Sequence, residues 1–444
     1  MSRQMADARM VGCGIDNRYA AFLSRKIPRA HAAGIDAAEL SPRLFPWQRD
    51  IVRWAARKGR AAIFADCGLG KTPMQLSWCN AIGRRSLILA PLCVAEQTVA
   101  EAAKFGMVAR YVADAAAVGD GINVTNYERL HKFDPSVFDA VVLDESSILK
   151  AFDGKTRAAL IRAFASTPYR LCCTATPAPN DIAEMANHAE FLGLMTRQEF
   201  LASWFVHDDE GWRMKRHARR PFFRWMASWA MALRKPSDIG YPDDGFELPP
   251  LKIEELILED RDAPSGSLFA GVAGKGIQGR MAIRRASLDD RVGAASILAN
   301  DTEQWLLWCG LNDESNALGK CIAGAVEVSG SDSYEDKVLA VKGFVAGDVR
   351  AMVSKGRILG FGLNLQNCGR MAFVGIGDSY EMYYQCIRRC WRFGRVGPVR
   401  AVLILSESER HVAENVRRKE RHASELTSEI ISEMADFERE EIAS

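Results

Sequence analysis

Between residues 44 and 180, short apolar runs alternate with longer stretches of helical spacing. The runs fall at 61–65, 86–90, 121–125, 140–144 and 170–174. Strands buried on both faces read as near-continuous apolar runs, and strands separated by helical segments predict a parallel sheet covered by helices on both sides. A second alternation follows, with strand-like runs at Gln304–Cys309, Ala325–Val328, Arg350–Val353, Met371–Val374 and Val399–Leu405.

The fold class predicted is α/β, with parallel-sheet lobes at 44–180 and 301–406. Residues 181–248 read as a helical insertion. Glu184, Met185, His188 and Leu192 keep helical spacing there, and the stretch then turns basic and aromatic. Leu248-Pro249-Pro250 marks a boundary, and 249–300 reads as a linker with an extended run followed by a Gly- and Ser-containing loop at 264–279. Residues 407–444 read as a charged helical tail, and 1–43 as mixed helix and loop without recognisable chemistry.

Composition narrows the function classes. The 48% hydrophobic and 26% charged fractions are those of a globular protein, and 444 residues leave room for two or three domains. Net charge is only +2, so any affinity for nucleic acid must come from local clusters. The densest runs from Trp212 to Trp229 and includes Arg216, Arg219 and Arg220. It reads either as a nucleic-acid track, with cations for phosphates and rings for bases, or as a helical pair with aromatic residues inside and arginines outside. No run approaches the roughly 20 apolar residues of a membrane span, and MSRQMADARMVGCGIDNRY contains no signal-peptide core. The eleven cysteines lack C-x-x-C pairs, so reduced thiols and a cytoplasmic setting are expected rather than disulfides or zinc.

The sharpest chemistry lies at Ala65-Asp66-Cys67-Gly68-Leu69-Gly70-Lys71-Thr72, between an apolar strand and a run of helix formers. It matches A-x-x-x-x-G-K-T, a phosphate loop with alanine in the first glycine's place. Gly68 and Gly70 let backbone N–H groups face phosphate oxygens, Lys71 suits the β- and γ-phosphates, and the Thr72 hydroxyl suits Mg²⁺. A strand-to-helix turn that binds nothing is the alternative, and the eight-residue match in context disfavours it. Seventy-three residues after Lys71, the run Ala140–Leu143 ends in Asp144 and Glu145. Asp144 suits Mg²⁺ through water, and Glu145 suits orienting and deprotonating an attacking water.

Asp144-Glu145-Ser146-Ser147, with Lys150 and Lys155-Thr156-Arg157 after it, resembles motif II of superfamily-two DEAD/DEAH-box helicases, closest to the Swi/Snf-type branch. Other segments fall into that family's order. Phe45-Pro46-Trp47-Gln48 resembles the segment whose glutamine reads adenine. Leu87 to Leu92, with Pro91, resembles motif Ia, and Val124 to Glu128, with Thr125, resembles motif Ib. Cys173 to Pro177 is similar to motif III, with Asn180 after it. Gly360 to Gln366 resembles motif V, with Gly362 and Asn364 on the nucleotide side. Tyr383-Tyr384-Gln385-Cys386-Ile387-Arg388-Arg389-Cys390-Trp391-Arg392-Phe393-Gly394-Arg395 resembles motif VI, with Gln385, Arg389 and Arg392 in register. The match runs from about residue 44 to 405. Its compactness is like that of members encoded by phages and prophages. Ser147 stands in place of the motif II histidine, Ala65 in place of glycine, and Ala175 in place of the glycine of the "TGTP" form.

The resemblance implies two tandem RecA-like lobes with ATP and Mg²⁺ between them, Gln385 as a sensor, and Arg389 and Arg392 as fingers completing the site from the second lobe. Arg388 and Arg395 fall off that face and are expected to meet phosphates or solvent. Pro91, Thr125, Ser354 and Lys355 are the backbone-contacting candidates for a nucleic acid crossing both lobes. The implied activity is an ATP-driven DNA motor, with duplex favoured over single strands or RNA, working as a monomer in a bacterial or phage-infected cytoplasm. A strand-separating helicase is the near alternative. A nucleotide-gated DNA-binding scaffold for a nuclease or methyltransferase partner is the alternative of another class.

Overall fold

The computed structural model describes residues 30, 32–37, 39–91, 94–150, 154–208, 211–259, 284–360 and 362–443. Most of 1–43, and the loop expected at 264–279, lie outside the described residues.

The chain forms two α/β lobes, each built on an all-parallel sheet. The first sheet has seven strands: β1 (Arg60–Ala65), β2 (Ser86–Ala90), β3 (Ala109–Tyr111), β4 (Ile122–Asn126), β5 (Ala140–Asp144), β6 (Tyr169–Cys173) and β9 (Ala230–Leu233). Their spatial order is β3-β4-β2-β5-β6-β1-β9. Successive side chains of β1 enter opposite cores, as a two-residue period requires. Ala61 and Ile63 pack with helices α1 (Pro46–Lys58) and α2 (Lys71–Ile82), while Ala62 and Phe64 pack on the other face. The first-lobe helices that follow are α3 (Ala95–Lys104), α4 (Lys155–Ala163), α5 (Met185–Leu192), α6 (Arg197–Trp204) and α7 (Arg219–Ala227).

Residues 181–248 are not the all-helical insertion expected. A hairpin of β7 (Phe205–Asp208) and β8 (Gly211–Met214) interrupts the helices, and β9 completes the first sheet beside β1. Only Ser228 and Trp229 separate Ala230-Met231-Ala232-Leu233 from the preceding helix, so in sequence its apolar run merges with that helix's own apolar residues. Except for Trp212, which is exposed, the rings of the basic–aromatic stretch take the core alternative. Phe222, Phe223, Trp225 and Trp229 are buried, whereas Arg216, Arg219 and Arg220 remain at the surface.

The second sheet has the order β10-β15-β14-β11-β13-β12. Its strands are β10 (Leu251–Leu258), β11 (Trp305–Cys309), β12 (Ala325–Val328), β13 (Ala351–Lys355), β14 (Arg370–Val374) and β15 (Val399–Ser406). β10 starts directly after Pro250 and pairs with β15 over eight positions, so part of the expected linker is an edge strand of the second lobe. The helices here are α8 (Leu288–Leu298), α9 (Asn312–Cys321), α10 (Tyr334–Ala346), the short α11 (Gly356–Leu359), α12 (Tyr380–Cys390) and α13 (Arg410–Ala443).

The tail is a helix of 34 residues that belongs to both lobes. Val412, Ala413, Val416 and Ala423 pack into the second lobe's core, while Ile430, Ile431 and Met434 pack into the first lobe's. Arg219 ties it down through Glu429 at 2.7 Å and Glu433 at 3.0 Å, and Lys58 pairs with Glu441 at 2.7 Å. The Glu438 carboxyl accepts the Ala232 N–H at 2.7 Å, occupying a donor on the unpaired edge of β9.

Candidate active site between the two lobes

β1 delivers the chain into the phosphate loop, and α2 carries it away. Gly68 and Gly70 have φ of +91° and +74°, the left-handed region that a β-carbon disfavours. Lys71 donates from Nζ to the Ala65 carbonyl at 2.9 Å, closing the loop on itself. Gln48 braces the loop from outside. Its Nε2 donates to the Leu69 carbonyl at 3.0 Å, and its Oε1 accepts from the Phe45 N–H at 3.0 Å. Both ends of the carboxamide are therefore engaged within the first lobe.

The acids stand at the C-terminal end of β5, where parallel sheets place ligands. Gln75, one turn along α2 from Lys71, donates to Asp144 Oδ1 at 2.7 Å. Burial, and then the neighbouring Glu145 charge, push the Asp144 carboxyl up to about 6. Glu145 has φ of +55°, the one non-glycine among the described residues with positive φ. A left-handed backbone costs an ordinary residue about 1–2 kcal/mol and is kept where the surroundings impose it. The Thr174 hydroxyl, from the segment resembling motif III, donates to Glu145 Oε2 at 3.3 Å. Ser147, standing in the histidine's place, is buried, and its neighbour Ser146 meets His188 Nε2 at 3.1 Å. The two motifs are thus joined by Thr174 and Glu145 without that histidine.

The second lobe closes the cavity. Arg389 and Arg392 each donate through Nη1 to the Leu363 carbonyl, at 3.0 and 2.9 Å. Gln385 Oε1 accepts from Arg389 Nη2 at 2.6 Å and holds that guanidinium's second edge. Burial, and then the charge of Arg389, bring Arg392 down to about 10, still a cation at neutral pH. Two guanidiniums converge on a single neutral carbonyl, an arrangement that an anion between them would relieve. Lys71, Thr72, Asp144 and Glu145 from one lobe, with Arg389 and Arg392 from the other, line a cavity of about 200 Å³. Gly68, Gly70, Gly362 and Asn364 also border it. This donor set fits Mg²⁺ and a triphosphate: backbone N–H groups, three cations, one hydroxyl and two carboxylates. Magnesium keeps much of its water and needs few protein ligands. Among the described residues, no group of three or more His, Cys, Asp or Glu side chains could hold a metal ion.

Not every residue expected at the site reaches a partner surface. The Thr125 hydroxyl is buried and donates to the Val112 carbonyl at 2.7 Å; that of Ser354 is buried and donates to the Val328 carbonyl at 2.8 Å. Lys355 is buried and bonded to Asn312. These three side chains are spent inside the fold, because each sits on or at the end of a central strand. Pro91 is half-buried, and Leu92 and Phe361, from the segments resembling motifs Ia and V, lie outside the described residues. Arg395 bonds the Gln366 carbonyl. Arg388, expected at phosphate or solvent, is 1% exposed and ion-paired to Asp66 at 3.1 Å.

Sequence reading passed over Gln75, Thr174 as a partner of Glu145, and Gln97 and Glu101, which border the cavity from α3. Gln75 was detectable as a polar residue four places after Lys71, on a helix face turned toward β5. Gln97 and Glu101 carried no such signal, because only the folded position of α3 brings them in.

No protein-family model matches the chain, and no curated protein does. Among solved structures, it is similar to the SWI2/SNF2 ATPase core of Sulfolobus solfataricus in complex with double-stranded DNA. The two share 16% identity over 92% of this chain and 98% of that one, with a TM-score of 0.43. Among the described residues, no helix is long and apolar enough to cross a membrane.

Proposed function

We propose that the chain is a nucleic-acid-dependent ATPase that converts hydrolysis at the inter-lobe cavity into movement along DNA, with duplex as the favoured track. The observation that carries this reading is the shared cavity. Lys71, Asp144 and Glu145 enter from one lobe and Arg389 and Arg392 from the other, so the chemistry is complete only when the lobes meet.

Mg²⁺ and ATP would supply a metal-neutralised triphosphate with a scissile terminal anhydride. Lys71 would exchange its backbone carbonyl partners for phosphate oxygens, and Thr72 and Asp144 are the residues that would hold the metal. Glu145, set by its left-handed backbone and by Thr174, orients a water and takes its proton. Arg389 and Arg392 neutralise charge developing on the terminal phosphoryl, a contribution worth about 10³–10⁵ in rate in comparable enzymes. Because those cations ride on the second lobe, turnover is tied to inter-lobe motion. The exposed Arg216 and Arg220, with Pro91 beside the first lobe's strand ends, are the remaining candidates for backbone phosphates.

The deciding test is ATP turnover with duplex DNA, single-stranded DNA and RNA at several salt concentrations. Stimulation by DNA is expected, abolished by Lys71→Ala and by Glu145→Gln. Equal turnover with and without every nucleic acid overturns the proposal. Displacement of a triplex strand, without separation of a forked duplex, distinguishes translocation from unwinding.

A further inference from the structure

Helix α12 and the two residues that follow it, Trp391 and Arg392, carry two adjacent sets of side chains, one residue out of register. Arg389 and Arg392, with Gln385 holding Arg389, form the set at the phosphate cavity. Tyr384, Arg388 and Trp391 form the other, at the same i, i+4, i+7 spacing. That second set grips the start of the phosphate loop. The Tyr384 hydroxyl donates to Asp66 Oδ1 at 2.6 Å, Arg388 Nη2 pairs with Asp66 Oδ2 at 3.1 Å, and the same nitrogen donates to the Cys67 carbonyl. Asp66 is in turn fixed to the first lobe: its Oδ1 accepts the Cys67 N–H at 2.6 Å, and its own N–H donates to the Leu233 carbonyl at 3.0 Å. Trp391 lies 4.9 Å beneath the Arg388 guanidinium and donates from Nε1 to the Pro249 carbonyl at 2.7 Å, anchoring the set at the segment between the lobes.

A buried ion pair with extra hydrogen bonds is costly to break and poor at adding net stability, which suits it to fixing a register. We infer that Arg388 is a positioning residue: with Tyr384 it clamps α12 to Asp66, so that Arg389 and Arg392 of the neighbouring set meet the phosphate cavity at a fixed height. The clamp touches no bound group itself and acts through the arginines beside it. A cavity of about 780 Å³, walled partly by Asp66, Tyr384, Arg388 and Trp391, lies directly behind it and gives α12 room to shift once the pair is broken.

This inference rests on the ATPase reading, so its test separates the two. ATP turnover and fluorescent-nucleotide binding are measured for the wild type, Arg388→Met, Asp66→Asn and the double variant. The distance between fluorophores, placed through non-natural residues at the exposed Val108 and Leu339, is read in nucleotide-free protein. The expected result is a fall in kcat of about tenfold or more for each single variant, with nucleotide affinity changed less than about threefold. The double variant should be no worse than the worse single one, because both remove the same contact. Arg388→Lys restores part of kcat, Tyr384→Phe gives a smaller loss in a fold left intact, and Arg388→Met lengthens or broadens the inter-lobe distance. Unchanged kcat, additive losses, or an equal loss of nucleotide affinity overturns the clamp. An inactive wild type whose inter-lobe distance still responds to Arg388→Met overturns the ATPase reading and leaves the clamp standing.

Discussion

Gly362 of the second lobe stands against Val94 of the first so closely that a β-carbon on the glycine would fall 2.3 Å from Val94 Cγ2. Its φ of +73° adds a second reason for glycine there. Gly362→Ala therefore wedges the lobes apart at the mouth of the phosphate cavity without touching either core. Turnover should fall by about tenfold, with nucleotide binding largely kept. Steady-state kinetics beside equilibrium binding checks this, and wild-type turnover in the variant counts against close contact at that point.

Glu145 combines the side chain proposed as general base with a strained backbone, and two substitutions pull these apart. Glu145→Gln should abolish hydrolysis and leave thermal stability nearly unchanged. Glu145→Gly should also abolish hydrolysis while relieving about 1 kcal/mol of left-handed strain, set against the lost Thr174 contact and the greater freedom of the unfolded chain. A melting temperature for Glu145→Gly at or above that of Glu145→Gln is the expected outcome.

Glu438 predicts a pH dependence remote from catalysis. Burial raises its carboxyl from 4.5 to about 8, opposed by the Ala232 N–H it accepts and by Arg439, and reinforced by Asp238. The folded protein holds this proton where the unfolded chain has released it, so stability falls as pH rises from about 4.5 to about 8. Glu438→Gln keeps an acceptor for Ala232 and cannot titrate. Its melting temperature relative to wild type should climb between pH 5 and pH 8, by on the order of 2 °C. A difference that is flat across that range overturns the assignment.

Arg216, Arg219 and Arg220 share a sequence neighbourhood but not a role. Arg219 is held by Glu429 and Glu433, so Arg219→Ala should cost no more than about 1 kcal/mol of stability, an exposed pair's usual contribution. Arg216→Glu and Arg220→Glu should instead weaken DNA binding and flatten its dependence on salt. Titrations at two ionic strengths separate the three, and an unchanged salt slope in both charge reversals removes this surface from the DNA path.

The long apolar strands and the strand–glycine turn–helix unit at 60–82 were legible because local sequence determines them. The runs at 61–65, 86–90 and 140–144 lie within a residue of the observed strands, since a strand buried on both faces leaves no polar position to confuse its limits. β3 escaped because it has only three residues, and β9 because just two residues part it from helix α7, so its run merges with that helix's apolar residues. Thr125 and Ser354 were misplaced for another reason. Motif order assigns them a position along the chain, but whether a hydroxyl faces outward depends on the strand beside it. Arg388 shows the same gap more sharply, since its partner lies 322 residues away and only the docking of the lobes pairs them.

Helix α13 has one more consequence. At about 1.5 Å per residue it is about 50 Å long, and it is fastened to one lobe near its start and to the other near its end. A rod seated in both cores is a strut shared by the two lobes. A shift at either seat is therefore carried along its length to the other, and the lobes are expected to move with α13 rather than past it.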